Sequence, residues 1–369
     1  MGLKVVFCWT DISGYMAACW RALQQQPNID LYVLAFQART QTAFSDSLMA
    51  DIPCYLLNLT ERNDVALIRQ HVIAQKPDVI VMCGWLSKAY RQLAYDPAFA
   101  HVCFIMGMDT PWRATLRQRV APLVLRSFLA RMHHVVVTGE RSWQYAVYLG
   151  VPPERIHRGL YGVNYTSLSP LLTKRQKMAW PKTFLFAGRY ASAKSIDRLV
   201  EAYQCYRTGV SDPWPLICCG KGELATLLKN QPGIEDRGFV QPDAMADIWQ
   251  EAGAFVLPSK FDPWPLAIVE AAAAGLPIVC SHACGSGVEV VRSWYNGLKV
   301  PADSADQLAT ALTTIHHQYD SLPSWGANSQ QLAAPYAAQT WVRRWYELLC
   351  TVDKSDRTSI QPSANLQPA

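Results

Sequence analysis

The sequence predicts an α/β protein of two parallel-sheet domains that face a common cleft. Three observations predict it. Short apolar runs alternate with helix-forming stretches through the first half of the chain, the pattern of parallel strands joined by helical crossovers. A polar segment over residues 165–182 interrupts the alternation, which then resumes. The chain has 369 residues and is 50% hydrophobic, enough for two separate cores.

In the first domain, residues 1–164, the predicted strands are KVVFCW, DLYVLAF, DVIVMC, VCFIMG and HVVVT. The loop TDISGY joins the first strand to the helix MAACWRALQQQ. Gly14 in that loop would let the backbone approach a ligand at the carboxyl end of the sheet, although one glycine there is equally ordinary turn chemistry. Residues 165–182 read as a linker. The second domain, residues 183–335, contributes the predicted strands TFLFAGR, PLICCG, GIEDRGFV, AGAFVLP, LPIVCS and GLKVP. After Pro301 an amphipathic helix follows a plausible cap at Ser304. A last helix within residues 336–352 carries Trp341, Trp345 and Leu348 on one face, and the tail 353–369, rich in Ser, Pro and Gln, is expected to be disordered.

Composition narrows the function classes. A net charge of +5 is mild for this length and does not point to nucleic acid. No apolar run is long enough to span a bilayer. The start MGLKVVFCW reads as a strand without a signal-peptide cleavage region, and Val6 stands where a myristoylation signal wants Ser or Thr, so a cytoplasmic protein is expected. The eleven cysteines show no paired framework and read as reduced core residues. Cys280, His282 and Cys284 do not reproduce a common zinc spacing, so no metal is expected.

The stretch PSKFDPWPLAIVEAAAAG, residues 258–275, organises the rest. Pro265 is suited to starting a helix, Gly275 to stopping one, and Leu266 to Ala274 between them is apolar except for Glu270. Such a helix should be buried all round. A buried carboxylate is costly without a partner, so Glu270 needs one, and a ligand hydroxyl is a candidate because the free amides at this helix start also suit a phosphate.

This segment resembles the donor-binding signature of the retaining glycosyltransferases related to glycogen and sucrose synthases, family four, usually E-P-F-G-L-x-x-x-E-A-x-A-x-G-x-P-V-V. The resemblance implies the GT-B fold, two Rossmann-like domains facing a cleft with a C-terminal helix crossing back onto the first. It implies that Asp262 contacts the donor sugar, that Glu270 holds the ribose, and that the amides of Leu266 and Ala267 face the phosphates. Two departures stand out: Asp262 replaces the usual Glu, and Pro265 the usual Gly.

Three further segments carry the resemblance. FAGRYASAKSIDRLVEAY is similar to the family's G-R-x-x-x-x-K-G segment, which implies that Arg189 and Lys194 neutralise the nucleotide diphosphate; independently, Arg189 directly follows an apolar strand at the cleft edge. CGKGEL, with Gly220, resembles a loop near the phosphates, while Phe239 and Val240 in RGFV occupy the place of contacts to the base. LGVPPERIHRGLYGVNYTSLSP resembles the segment that closes the first domain. Gly14 corresponds to a loop facing the donor phosphates. In CFIMGMDTPWR the place of the usual histidine falls on Met108, and the adjacent Asp109 either takes over part of its role, contacts the acceptor, or begins a turn before Pro111.

The function implied is retaining transfer of a sugar from a nucleotide-diphosphate sugar, the co-substrate, to a glycan or lipid-linked saccharide in bacterial cell-surface polysaccharide biosynthesis. No cofactor is implied, and the leaving diphosphate itself can help remove the acceptor's proton. A nucleotide-sugar epimerase of the same fold and a non-catalytic nucleotide-sugar-binding partner of another transferase are the alternatives.

Arg113, Arg117, Arg119, Arg126 and Arg131 fall on a predicted helix interrupted near Pro122. It is either a solvated face with its leucines turned inward, or a basic amphipathic surface in peripheral contact with the inner face of a membrane through residues 113–131. Trp9, Trp112 and Trp264 fall near predicted cleft loops, where they either stack on sugar or pack in the core.

Overall fold

The computed structural model describes residues 2–37 and 46–352. The expectation of a disordered tail over 353–369 falls outside the described residues. Among them, two parallel sheets form. The first comprises β1 (Leu3–Trp9), β2 (Ile29–Phe36), β3 (Cys54–Leu57), β4 (Val79–Cys83), β5 (Cys103–Met108), β6 (His134–Val137) and β7 (Ile156–Arg158), in the order β3-β2-β1-β4-β5-β6-β7. The second comprises β8 (Phe184–Ala187), β9 (Leu216–Cys219), β10 (Ile234–Gly238), β11 (Ala254–Leu257), β12 (Ile278–Ser281) and β13 (Gly297–Val300), in the order β10-β9-β8-β11-β12-β13.

Every predicted strand is present, and β3 and β7 are additions. Each is a short edge strand, four and three residues long, too brief to show a period of its own. β1 shows why the inner strands are legible. Its Val6 and Cys8 enter one core and its Val5, Phe7 and Trp9 another, because helices cover both faces of a parallel sheet and demand apolar residues at every position. The strand order reverses beside β1, which pairs with β2 and β4, and beside β8, which pairs with β9 and β11. Ligands of open α/β sheets bind at the carboxyl ends of strands at such switch points. Gly14 follows β1 and Arg189 follows β8.

The segment 165–182 is not a loose connector. It forms the helices Tyr165–Leu168 and Pro170–Gln176, whose Leu168, Leu171 and Leu172 join Trp180 in the core of the second domain. Arg175, 1% exposed, donates to the carbonyls of Ala274 (2.9 Å) and Trp249 (2.7 Å), so a charged residue of this polar stretch serves a buried helix end. The last helix, Ala338–Thr351, returns to the first domain. Its Trp341 and Trp345 pack with Trp20 of the helix Gly14–Gln24 and donate to the carbonyls of Leu160 (2.9 Å) and Gly159 (3.1 Å). The architecture is the two-domain GT-B arrangement.

The helix Leu116–Leu129 runs through Pro122 without the expected interruption. Arg113 precedes it and Arg131 follows it. Among the described residues no helix is long and apolar enough to cross a membrane.

Candidate functional site

A cavity of about 560 Å³ opens between the domains at the carboxyl ends of their strands. Gly14 and Tyr15 line it from the first domain. Arg189 after β8, Gly220 after β9, Phe239 and Val240 after β10, and Leu266, Ala267 and Glu270 in the helix after β11 line it from the second. Eight residues singled out from sequence therefore share one cavity.

The two loops carrying Arg189 and Gly220 are zipped together. Gly188 N–H donates to Cys219 O (3.0 Å) and Tyr190 N–H to Lys221 O (2.9 Å). The approach is so close that a Cβ at Gly220 would lie 1.9 Å from the Gly188 carbonyl oxygen, and one at Gly222 2.2 Å from that of Tyr190. Gly220 and Gly222 are thus required by packing. The result of that packing is electrostatic: Lys221, which sequence reasoning missed, joins Arg189 at the rim, its ammonium 5.6 Å from the centre of the Phe239 ring. The only signal for Lys221 was its place between two glycines.

The helix Leu266–Ala273 is positioned by the loop after β12. Ser286 Oγ donates to the Pro265 carbonyl (2.8 Å), and Gly285 N–H to that of Asp262 (2.9 Å); a side chain at Gly285 would collide with the Pro263 carbonyl at 1.7 Å. Pro265 itself is the residue before the first turn, with φ −65° and ψ 105°, one place earlier than expected. Nor is the helix buried all round. Leu266, Ala267 and Glu270, at positions i, i+1 and i+4, are only partly covered and turn to the cavity, while Ile268, Val269 and Ala271–Ala273 fill the core.

Glu270 receives no hydrogen bond or ion pair from the described residues, and desolvation pushes its carboxyl up to about 7. Beside the same helix start, Asp262 forms an ion pair with Lys194, their side chains 9% and 17% exposed. The backbone holds the pair together, since Lys260 N–H donates to Ala193 O (2.9 Å). Neither Asp262 nor Lys194 is among the residues lining the cavity.

Asp109 sits one layer behind the wall. It accepts a hydrogen bond from Tyr161 Oη (3.2 Å), and the Tyr161 ring meets that of Tyr15 edge-on at 5.6 Å. Burial raises the Asp109 carboxyl above the usual range, Tyr161 works against that rise, and the charge of Asp262 across the cleft adds to it. Met108 is 2% exposed and belongs to the first core. None of Trp9, Trp112 and Trp264 lines the cavity: Trp9 and Trp264 are buried, and Trp112 packs against Tyr145 and Tyr148.

The arrangement is suited to an anionic ligand with hydroxyls: Arg189 and Lys221 bring positive charge, the start of the helix Leu266–Ala273 brings free amides, and the Glu270 carboxylate, when ionised, accepts hydrogen bonds. Residues 181–318 match the family model described as glycosyl transferases group 1. An exopolysaccharide phosphotransferase of Streptomyces coelicolor is 28% identical over 176 residues, 45% of this chain and 18% of that protein. The O-antigen chain mannosyltransferase B of Escherichia coli is 31% identical over 121 residues, 31% of this chain and 32% of that protein. The chain thus spans less than a third of each relative's own length. Among solved structures, that of the Anabaena protein HepE in complex with UDP and glucose superposes with a TM-score of 0.74 at 17% identity, covering 95% of this chain and 100% of that one, which shows the shared GT-B fold.

Proposed function

We propose that the protein is a glycosyltransferase that moves a sugar, with retention of anomeric configuration, from a nucleoside-diphosphate sugar to a glycan or lipid-linked saccharide in bacterial cell-surface polysaccharide biosynthesis. One observation carries this reading. Arg189, Lys221 and the first turn of the helix Leu266–Ala273 converge in a single interdomain cavity with Glu270, a desolvated carboxylate that no described residue satisfies.

In this reading the Glu270 carboxylate accepts from the ribose hydroxyls, and Phe239 and Val240 flank the base. The diphosphate lies against Arg189, Lys221 and the amides of Leu266 and Ala267, with Lys194 held in reserve by Asp262. The bond from the anomeric carbon to phosphate oxygen breaks and a bond to the acceptor oxygen forms on the same face. The acceptor's proton passes to the departing phosphate oxygen, so atoms and charge balance without another reagent. Charge builds on the diphosphate during the step, and preorganised cations with helix amides stabilise it more in the transition state than before it. Asp109, behind Tyr161 and Tyr15, orients the acceptor or the donor sugar. No resident cofactor takes part.

The test is turnover of a panel of nucleoside-diphosphate sugars with and without glycan or lipid extract, with the product's anomeric configuration read by NMR. Acceptor-dependent release of the nucleoside diphosphate with a retained linkage is expected. Isomerised donor or free nucleotide without acceptor would establish the epimerase instead, and binding without turnover the non-catalytic partner.

A further inference from the structure

The helix Leu116–Leu129 turns an apolar face to solvent. Leu116 is 81% exposed, Val120 52%, Leu123 79% and Val124 72%, and their spacing places all four on one side. The opposite side, with Ala121, Leu125 and Phe128, is buried in the first core. The leucines are therefore not all turned inward, and a contiguous patch of large aliphatic side chains marks a surface that something covers.

Charge identifies what covers it. Residues 113–131 hold five arginines and no Asp or Glu. Arg113 lies 4.1 Å over the Phe261 ring and Arg131 5.8 Å over Tyr95, while Arg117 and Arg126 form no ion pair among the described residues. Tyr95 and Tyr148, both partly exposed, flank the helix and bond to Ser127 Oγ (3.2 Å) and to the Arg119 carbonyl (3.4 Å). Amphipathic side chains of this kind favour the boundary between headgroups and acyl chains. An apolar protein partner would match the aliphatic residues and leave the guanidinium charges uncompensated. An anionic bilayer satisfies both at once.

We propose that the helix Leu116–Leu129 docks lengthwise on an anionic lipid surface, with Leu116, Val120, Leu123 and Val124 entering the acyl boundary and Arg117 and Arg126 meeting the phosphates. The helix begins seven residues beyond Asp109, whose carboxyl senses Asp262 across the cleft. Docking therefore sets the cleft mouth beside the bilayer, where a lipid-linked acceptor would be presented; this consequence alone rests on the function proposed above.

Co-sedimentation at low salt tests the surface, using vesicles of equal parts phosphatidylglycerol and phosphatidylcholine against vesicles of phosphatidylcholine alone. The parent should bind the anionic vesicles and not the neutral ones. Leu123→Gln with Val124→Gln, and separately Arg117→Gln with Arg126→Gln, should each weaken binding about tenfold or more. Their melting temperatures should match the parent's, because the altered side chains are exposed. Binding of a nucleoside-diphosphate sugar, titrated on the same proteins, should also be unchanged, which separates failure of the surface from failure of the donor site. No binding to anionic vesicles, equal binding by parent and both variants, or a parent dimer that only the Leu123/Val124 variant dissociates would each overturn the proposal.

Discussion

Lys194 and Asp262 form an ion pair that is almost shielded from water, beside the start of the helix that carries Glu270. The pair fixes a cation near the proposed diphosphate position before any ligand arrives. Replacing Lys194 by Met leaves Asp262 with a buried charge and should lower apo stability by about 3 kcal/mol. If the ammonium also reaches the diphosphate, donor affinity per folded molecule should fall about tenfold or more. Thermal melting and calorimetric titration on one preparation check this; a stability loss with unchanged affinity would leave Lys194 a structural role only.

Glu270→Gln keeps shape and removes charge. Donor affinity should fall about tenfold or more, reflecting loss of charge-assisted bonds worth about 1.5 to 3 kcal/mol. Apo stability should hold or rise, because a desolvated carboxylate is gone. A lower melting temperature with unaltered affinity would reverse the assignment.

The same carboxyl makes the site pH-dependent. Its folded value of about 7 lies above the unfolded value near 4.5, so the folded state holds more protons between them and stability falls as pH rises through that window. Donor affinity should move oppositely, rising between pH 6 and 8 as Glu270 ionises to accept the ribose hydroxyls. In Glu270→Gln both slopes should flatten. A parent whose donor affinity ignores pH over this range would speak against ribose binding by Glu270.

Gly220→Ala tests the zipped loops. Its methyl group would press on the Gly188 carbonyl, so the loops must part, at a cost of about 1 to 3 kcal/mol in stability. Arg189 and Lys221 then lose their common position, and donor affinity should drop although neither cation is altered. Unchanged affinity would show that these loops do not shape the diphosphate site.

Transfer should continue unchanged in chelator, because Arg189, Lys221 and the helix start are assigned the diphosphate charge. Rate measurements in excess EDTA, with and without added magnesium or manganese, decide it. Loss of activity restored by either ion would refute this division of labour.

Much of the fold was legible in sequence because a parallel sheet covered on both faces needs apolar residues at every strand position, and β1, β4 and β5 show that run plainly. Glu270 was legible for a related reason: one acid in an otherwise apolar helix stands out as an unpaid desolvation. Other features depend on distant segments meeting, and no local pattern reports such meetings. Lys221 reached the cavity only because β9 lies against β8, and Leu116, Leu123 and Val124 could have faced either way until Ala121, Leu125 and Phe128 met the first core. Residues 165–182 looked like a linker because Arg175 and its neighbours are polar, yet the carbonyls Arg175 satisfies belong to Trp249 and Ala274, far along the chain. The sequence by itself determined which residues could fold into strands and which charges would be costly to bury; the tertiary structure alone decided which of those charges met, because hydrogen bonds and ion pairs act over a few ångströms whatever the separation along the chain.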